Sequence, residues 1–295
     1  MRVLFLVTAF AVFADPREFI VLKAEAGIGL FGSFNQVLAL VKLYDQGYYR
    51  GIEVDFGKQG LYYDPKHGDN WWNYYCEPIS IGEKIEVREV AGDVPFARRR
   101  EAEWYTDRQE GHALIQKYIQ FKPHILQKVE TFERMYFQGH VVIGVHFRGT
   151  DKLEKEASFI THSEVFRQVQ ELVRPLILKR IQYKVFLATD EQKMVDFMKS
   201  VFSWHLCYQS NALRAKKGDL PPHFNQAYDR YLCGEEAVVD CLLLSKCDLL
   251  VRTSSNLSLW SMYLNPQLPV IELNRRIDDE KPSIDSSLDE PSEKK

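Results

Sequence analysis

The second half of the chain alternates short apolar runs with stretches of helical periodicity. Residues 140–148 (HVVIGVHFR), 184–188 (KVFLA) and 247–251 (CDLLV) are short and rich in β-branched or aliphatic side chains, so they predict buried strands. Apolar residues at helical spacing follow the second of these runs, and an apolar segment from 257 to 264 follows the third. Alternation of this kind is typical of a Rossmann-like unit.

The first half shows the same alternation. A strand-like run, FIVLKA, precedes three glycines spaced as G-x-G-x-x-G, and a helical pattern continues from Val37 to Tyr44. The segment GIEVDF then predicts a second strand, which ends near Asp55. We therefore expect a second Rossmann-like unit in this half.

Two such halves predict an α/β fold with two Rossmann-like domains that face each other across a cleft. We expect the first domain over residues 15–135 and the second over residues 136–275. After Leu273 the chain becomes charged and rich in Pro and Ser, so residues 276–295 are expected to form a disordered tail.

The first residues suit either a targeting segment or a strand. Met1 and Arg2 precede an apolar run that ends in small residues before Asp15, as in a secretory signal. We expect residues 1–14 to be a signal peptide, because FIVLKA already supplies the strand before the glycine turn. That would place the protein in the secretory pathway, in a periplasm or outside the cell. If residues 3–14 form a strand instead, a cytoplasmic location follows.

Each of the three strands predicted in the second half runs into a polar cluster. Arg148 stands at the end of the first strand. Thr189 and Asp190 follow the second strand, and residues 252–256 (RTSSN) follow the third. Ligands of open α/β sheets bind at the carboxyl ends of strands, where hydroxyls and helix-start N–H groups donate to oxyanions. Ordinary helix N-capping, for example by Ser254, is the alternative. The recurrence in one half favours an anion site.

These clusters resemble the motifs of the GDP-fucose-dependent fucosyltransferases, which include core α1,6-fucosyltransferases, nodulation fucosyltransferases and, more distantly, protein O-fucosyltransferases. IGVHFRGTDK with the following LEKEASF resembles the arginine motif of the α1,6 enzymes. FLATDE resembles their second motif, and VVDCLLLSKCDLLVRTSSNLSLW resembles their third. The resemblance is specific in order and spacing over roughly residues 140–262 and weak elsewhere. It implies a GT-B-type fold and transfer of fucose from GDP-fucose to a hydroxyl of a glycan or protein.

The resemblance also implies a donor site. Arg148 would bind the diphosphate as the catalytic cation, assisted by Ser254, Ser255 and Asn256. His146 and Asp240 would lie near the guanine, and a carboxylate such as Asp240 can accept from the two N–H donors on a guanine edge. The remaining substrate-binding positions that we expect are Gly27, Gly29, Asn35, Asp151 and Asp190.

On the acceptor side, Lys152 and Glu156 match positions near the attacking hydroxyl, which makes Glu156 the candidate general base. The alternative is that this charged run is a solvated loop. The main departure from the family pattern is Gly149, where the nearest relatives carry a second arginine. That change raises a second hypothesis, a carbohydrate- or nucleotide-binding protein that keeps the fold without turnover.

The predicted chemistry uses no metal and no cofactor. Negative charge grows on the departing diphosphate of a nucleotide sugar, and a fixed cation such as Arg148 stabilises it. No Asp-x-Asp motif stands at a strand end, and Asp278 and Asp279 belong to the polar tail. A third hypothesis uses the glycine turn of Gly27, Gly29 and Gly32 with Asp55 as a dinucleotide fingerprint, which would make the protein an NAD(P)-dependent oxidoreductase.

Composition limits the remaining classes. The chain is 45% hydrophobic and 27% charged, as in a soluble globular enzyme, and no apolar run is long enough for a stable membrane span. A net charge of −3 gives no reason to expect nucleic-acid binding. Five cysteines leave at least one unpaired, and a Cys207–Cys233 disulfide is one pairing that the sequence permits.

An aromatic stretch in the first half has two interpretations. It comprises Tyr62, Tyr63, Trp71, Trp72, Tyr74 and Tyr75. Aromatic rings beside amides and acids suit stacking on sugars, which makes the stretch a candidate acceptor surface. The alternative is a loop packed onto the core through its rings.

Overall fold

The computed structural model describes residues 18–92, 106–149, 160–216 and 219–274. The predicted signal segment, the predicted tail and three predicted site residues lie outside these ranges. Those three residues are Asp151, Lys152 and Glu156.

Two sheets contain the strands of the described ranges. The bounds are β1 Phe19–Lys23, β2 Gly51–Val54, β3 Ser80–Gly82, β4 Val87–Ala91, β5 Val141–Phe147, β6 Tyr183–Thr189, β7 Leu206–Cys207, β8 Leu249–Arg252 and β9 Val270–Glu272. The five strands predicted from apolar runs correspond to β1, β2, β5, β6 and β8. Seven α-helices are described with them. Their bounds are α1 Leu30–Asp45, α2 Arg108–Tyr118, α3 Pro123–Tyr136, α4 His162–Leu178, α5 Gln192–Phe202, α6 Arg230–Ser245 and α7 Asn256–Leu264.

The first sheet has the strand order β3-β2-β1-β4. β1 pairs in parallel with β2 and with β4, while β2 and β3 are antiparallel. The chain leaves β1 through the glycine turn, where Gly27 has a φ of +78°, and enters α1. A positive φ is readily adopted only by glycine, so the turn is set by this residue type.

The second sheet is wholly parallel, with the order β7-β6-β5-β8-β9. The chain builds this sheet outward from β5, first to one side through β6 and β7 and then to the other side through β8 and β9. The direction of building therefore changes between β5 and β8, which is the switch point of the sheet. In doubly wound sheets this switch point opens a crevice at the carboxyl ends of the two strands, and ligands bind there. The polar clusters after residues 147 and 252 flank it.

β5 separates two hydrophobic cores. Its odd-numbered residues from 143 to 147 pack with α4 and α5, whereas Val142 packs on the other side with α6. Side chains alternate along a strand. His146, and Arg148 just beyond the strand, therefore belong to the same face as Val142.

One of these cores contains residues of both sheets. Val54 of the first sheet and Phe186 of the second belong to the same cluster of buried side chains. Helices α2 and α3 precede the second sheet in the chain but pack on its helices, and Gly111 lies so close to the Tyr263 ring that an added Cβ would be 2.6 Å away. The two halves are joined by apolar packing as well as by the chain.

The aromatic stretch packs into this core. Trp71 and Trp72 are 1% and 0% exposed, Phe56 stacks on Trp71 at 4.4 Å between ring centroids, and Phe34 lies 4.9 Å from Trp72. The hypothesis of an acceptor surface is therefore wrong for these two indoles, because rings with no exposed area cannot stack on a sugar.

The five cysteines are free thiols, and four of them are buried. The Cys207–Cys233 pairing that the sequence permits does not occur: Cys207 donates to the Val185 carbonyl and Cys233 to that of Pro222. Within the ranges given above, no helix has both the length and the apolar character needed to cross a bilayer.

Candidate functional site

A cavity of about 690 Å³ lies at the carboxyl ends of β5, β6 and β8 and reaches the glycine turn of the first half. Its lining includes every predicted site residue within the described ranges. These are Gly27, Gly29, Asn35, His146, Arg148, Asp190, Asp240, Ser254, Ser255 and Asn256. Residues as far apart in the chain as Gly27 and Asn256 therefore share one concave surface, the usual form of a small-molecule site.

Thr253 joins the two strands of the switch point. Its backbone N–H donates to the His146 carbonyl at 3.0 Å, and its hydroxyl accepts from the Arg148 N–H at 3.0 Å. The residue is 3% exposed. These bonds fix the backbone at the start of both polar clusters, so the side chains of His146 and Arg148 extend from a rigid base.

Arg148 lies between the switch point and the end of β6. Its Nε is 3.9 Å from Asp190 Oδ2, and its side chain is 23% exposed. The Gly149 N–H also donates to Asp190, at 3.4 Å from Oδ1. Asp190 thus holds both the cation and the backbone that carries it. A guanidinium kept on the cavity wall can meet an anionic group without rearranging.

Two helix N-termini line the same cavity. Helix α1 begins after Gly29, which offers no side-chain cap, and helix α7 begins after Ser255, whose hydroxyl accepts from the Leu257 N–H at 3.3 Å. The predicted N-cap alternative therefore applies to Ser255 and not to Ser254. Helix N-termini present N–H donors and a positive partial charge, which suits an anion.

The two helices are held together at this end. Trp260 of α7 donates its indole N–H to Asn35 Oδ1 of α1 at 2.6 Å. Gly32 approaches Asn256 closely enough that an added Cβ would be 3.9 Å from its Nδ2. The relative position of the two N-termini is set by these contacts.

Two acids of α6 line the cavity. Asp240 and Glu236 lie one turn apart on α6, where Gln209 donates to Asp240 Oδ1 at 2.6 Å and the Leu213 N–H donates to Glu236 Oε2 at 2.7 Å. Burial raises the pKa of Asp240 to about 6 and that of Glu236 to about 7, because a low-dielectric environment disfavours the ionised carboxylate. We call the part of the cavity lined by Arg148 its cationic end and the part lined by Asp240 and Glu236 its acidic end. Each part also contains the opposite charge, since Asp190 pairs with Arg148 and the charge of Arg214 acts on both acids.

Sequence reasoning did not select Arg252, which is 5% exposed, or Glu236 as site residues, although both line the cavity. Gln36, just past the glycine turn, is predicted from the sequence to face the cleft, and it lines the cavity with 1% exposure and an unbonded Oε1. Arg252 stood in the cluster after β8 and could have been found there. Nothing in the sequence separates Glu236 from its neighbours, because only the packing of α6 decides which acids face the cavity.

Asp55, the acid of the dinucleotide hypothesis, does not line the cavity. Its Oδ2 pairs with Lys23 at 2.6 Å, and its Oδ1 accepts from the Gly57 N–H at 3.2 Å. A ribose-binding acid needs its oxygens available to the ligand. The glycine turn instead faces the residues of the second sheet, which weighs against a separate nicotinamide site.

Across the part of the chain that the structure describes, no three or more His, Cys, Asp and Glu side chains are grouped so that they could hold a metal ion.

The family model described as alpha-(1,6)-fucosyltransferase N- and catalytic domains matches residues 112–258. This segment runs from α2 to α7 and contains all three polar clusters. It therefore covers the cationic and the acidic ends of the cavity.

Two solved structures are similar to this fold. One is the NodZ α1,6-fucosyltransferase soaked with GDP-fucose, an enzyme from Bradyrhizobium, with 17% identity, a TM-score of 0.51, and coverage of 86% of this chain and 94% of that chain. The other is a mutant of Arabidopsis thaliana FUT1 in complex with GDP, with 13% identity, a TM-score of 0.50, and coverage of 86% and 70%. At such identities the likeness shows the fold, an α/β architecture with parallel sheets like that of GT-B enzymes. The motif-bearing segment and the family match together place this chain in the GDP-fucose-dependent fucosyltransferase superfamily, as a glycosyltransferase.

Proposed function

We propose that the protein transfers fucose from GDP-fucose to a hydroxyl of a glycan or protein, with inversion and without a metal ion. The observation that carries the proposal is the shared cavity, in which Arg148 and two helix N-termini stand at one end and Asp240 at the other. Its 690 Å³ suits a nucleotide sugar. The family match supports the donor.

The chemistry assigns each end a task. The diphosphate lies at the cationic end, where Arg148, Ser254, Ser255 and Asn256 stabilise the charge that develops as the sugar departs. The guanine lies at the acidic end, where Asp240 accepts from its N–H groups and His146 contacts it. Gly27 and Gly29 let the backbone of the first half approach the donor.

The residues proposed to act on the acceptor hydroxyl lie outside the described ranges. Glu156 is the proposed general base, and Lys152 and Asp151 are proposed to lie near it. Because Glu156 would act on the hydroxyl and not on the donor, its loss should stop transfer and leave donor binding intact. The first half, over residues 15–135, is the proposed acceptor-side domain of a two-domain cleft, and residues 136–275 form the donor domain. A signal peptide at 1–14 would expose the enzyme to secretory or extracellular glycans.

The decisive experiment measures GDP-fucose binding and transfer in the same preparation. Arg148→Ala is expected to lower transfer by about 10²–10³-fold and to leave the melting temperature nearly unchanged, since Arg148 contributes to the charged transition state more than to the core. Glu156→Gln is expected to lose transfer and bind GDP-fucose as the native protein does.

Full activity in Arg148→Ala would reject the assignment of the diphosphate site. Tight GDP-fucose binding by the native protein without sugar release, across a panel of glycan and peptide acceptors, would instead support the binding protein suggested by Gly149. A preference for a uridine or nicotinamide ligand in a thermal-shift screen would reject the donor.

A further inference from the structure

A second guanidinium lines the cavity next to Arg148. β5 and β8 are adjacent and parallel, with His146 opposite Arg252. Since residues opposite each other in a parallel pair share a face, and Arg148 follows His146 by two positions, the two arginines project from the same face on either side of His146. Both line the cavity at the switch point, where the diphosphate is proposed to lie.

Arg252 is held in place before any ligand arrives. Its Nε donates to Ser258 Oγ at 2.9 Å, its Nη2 donates to the Ser255 carbonyl at 3.3 Å, and its Nη1 is 3.2 Å from Glu272 Oε1. The arginine side chain is 6% exposed, whereas that of Glu272 is 44% exposed. Water therefore screens the Glu272 carboxylate more than it screens the Arg252 guanidinium. The guanidinium still attracts an anion in the cavity.

Position 149 cannot easily supply this charge. A Cβ on Gly149 would lie 2.5 Å from Glu191 Oε2 and 2.7 Å from the Phe147 ring. Glu191 is itself paired with His162 Nε2 at 2.9 Å. A side chain at position 149 would have to displace this carboxylate and the Phe147 ring. Glycine, although it departs from the family pattern, is therefore the residue that fits this position.

We propose that Arg252 is a diphosphate-binding residue of the donor site and takes the place of the second arginine that the family resemblance puts at position 149. The inference rests on the proposed function. A nucleoside diphosphate carries more negative charge than Arg148 alone neutralises, and two guanidinium groups on adjacent strands can bind both phosphates. The second positive charge of the site then comes from Arg252 on β8 and not from position 149.

The competing role for Arg252 is structural, since its bonds to Ser255 and Ser258 also brace the start of α7. The two roles differ in ligand selectivity. A diphosphate contact affects GDP strongly, GMP less and guanosine not at all, because guanosine has no phosphate. A brace affects all three ligands alike through the shape of the cavity.

The experiment is calorimetric titration of GDP, GMP and guanosine into the native protein, Arg252→Met and Arg252→Gln. Both variants remove the charge, and the glutamine keeps an amide donor for the α7 brace in case the methionine variant does not fold. We expect GDP affinity to fall by at least about tenfold, GMP affinity to fall less, and guanosine affinity to stay unchanged. Glu272→Gln is the control, because it breaks the ion pair and keeps the cation, and its GDP affinity should not fall.

An equal loss for all three ligands, or an unchanged GDP affinity, would overturn the proposal. Failure of the proposed function is a separate result. A native protein that binds GDP but transfers no fucose would reject the transferase, whereas a selective loss in Arg252→Gln would still assign Arg252 to the diphosphate. A native protein that binds no GDP would overturn both.

Discussion

At the scale of single residues, the site combines arginines at strand ends with buried acids on a helix. Arg148 and Arg252 stand at the strand ends, and Asp240 and Glu236 stand on α6. Burial acts on the acids by raising their pKa values, so they titrate near neutral pH. Nucleobase binding and folding stability should therefore both depend on pH.

Guanosine affinity is expected to rise by about tenfold from pH 5 to pH 7, because only ionised Asp240, with a pKa of about 6, accepts from the two guanine N–H groups. Guanosine is the right probe, since a terminal phosphate titrates in the same range. Isothermal titration across pH 5–8 measures the effect. Asp240→Asn should bind weakly at every pH, and Glu236→Gln should keep the rise. A flat profile in the native protein would contradict the role of Asp240.

The same shifts affect stability in the opposite sense. The pKa values of Asp240 and Glu236 are raised above 3.8 and 4.5, so the folded state keeps protons that the unfolded chain releases. Their contribution to the free energy of unfolding therefore falls as pH rises from about 4 to about 7. Ligand-free protein should lose this dependence in the Asp240→Asn, Glu236→Gln double variant.

At the scale of elements, the proposed anion site is formed by the N-termini of α1 and α7, and these two N-termini are capped differently. α7 is capped by Ser255, and α1 begins at Gly29 without a side-chain cap. The Leu30 N–H at the start of α1 donates to the Tyr62 hydroxyl at 3.0 Å, and the absence of a side-chain cap from Gly29 leaves the following N–H groups for a ligand or water. Helix α4, on the opposite side of β5, has a capping box between Thr161 and Glu164 and provides a comparison away from the cavity.

Ser255→Ala and Thr161→Ala should each lower the free energy of unfolding by about 1 kcal/mol, because each removes a hydroxyl cap. Only Ser255→Ala should also weaken GDP binding, since the start of α7 is proposed to contact the diphosphate. Chemical denaturation and GDP titration of both variants test this. Equal GDP affinity in the two variants would remove the start of α7 from the proposed donor site.

At the scale of the whole molecule, the site depends on contacts between distant parts of the chain. The Trp260–Asn35 bond joins α7 to α1, and the Tyr75 hydroxyl donates to the Tyr231 carbonyl at 2.9 Å. Residues of both sheets also share one core. The cavity is therefore expected to lose its shape when the contact between the halves is weakened.

Trp260→Phe should lower the free energy of unfolding by about 1–3 kcal/mol, since it leaves the half-buried side-chain carbonyl of Asn35 without its donor. It should also weaken GDP binding, because Asn35 lines the cavity. Trp72→Phe is the matched control: its indole is equally buried and donates to the Glu77 carbonyl within the first half. Calorimetry should show similar stability losses in both variants and weaker GDP binding in Trp260→Phe only.

The sequence by itself determined five of the nine strands in the described ranges and the order of the polar clusters. β-branched runs and hydroxyl-rich turns act locally, so the predicted strand at 140–148 and the cluster after residue 252 could be found without a fold. The motif resemblance then indicated the family, because spacing along the chain is a property of the sequence.

The tertiary structure alone decided which residues share the cavity and which are buried. Composition could not tell whether Trp71 and Trp72 face a sugar or the core, and it could not show that Glu236 faces the acidic end. It also left Arg252 as one polar residue among several. Each of these outcomes depends on which elements pack against one another, since side-chain exposure and charge pairing are set by neighbours remote in the chain.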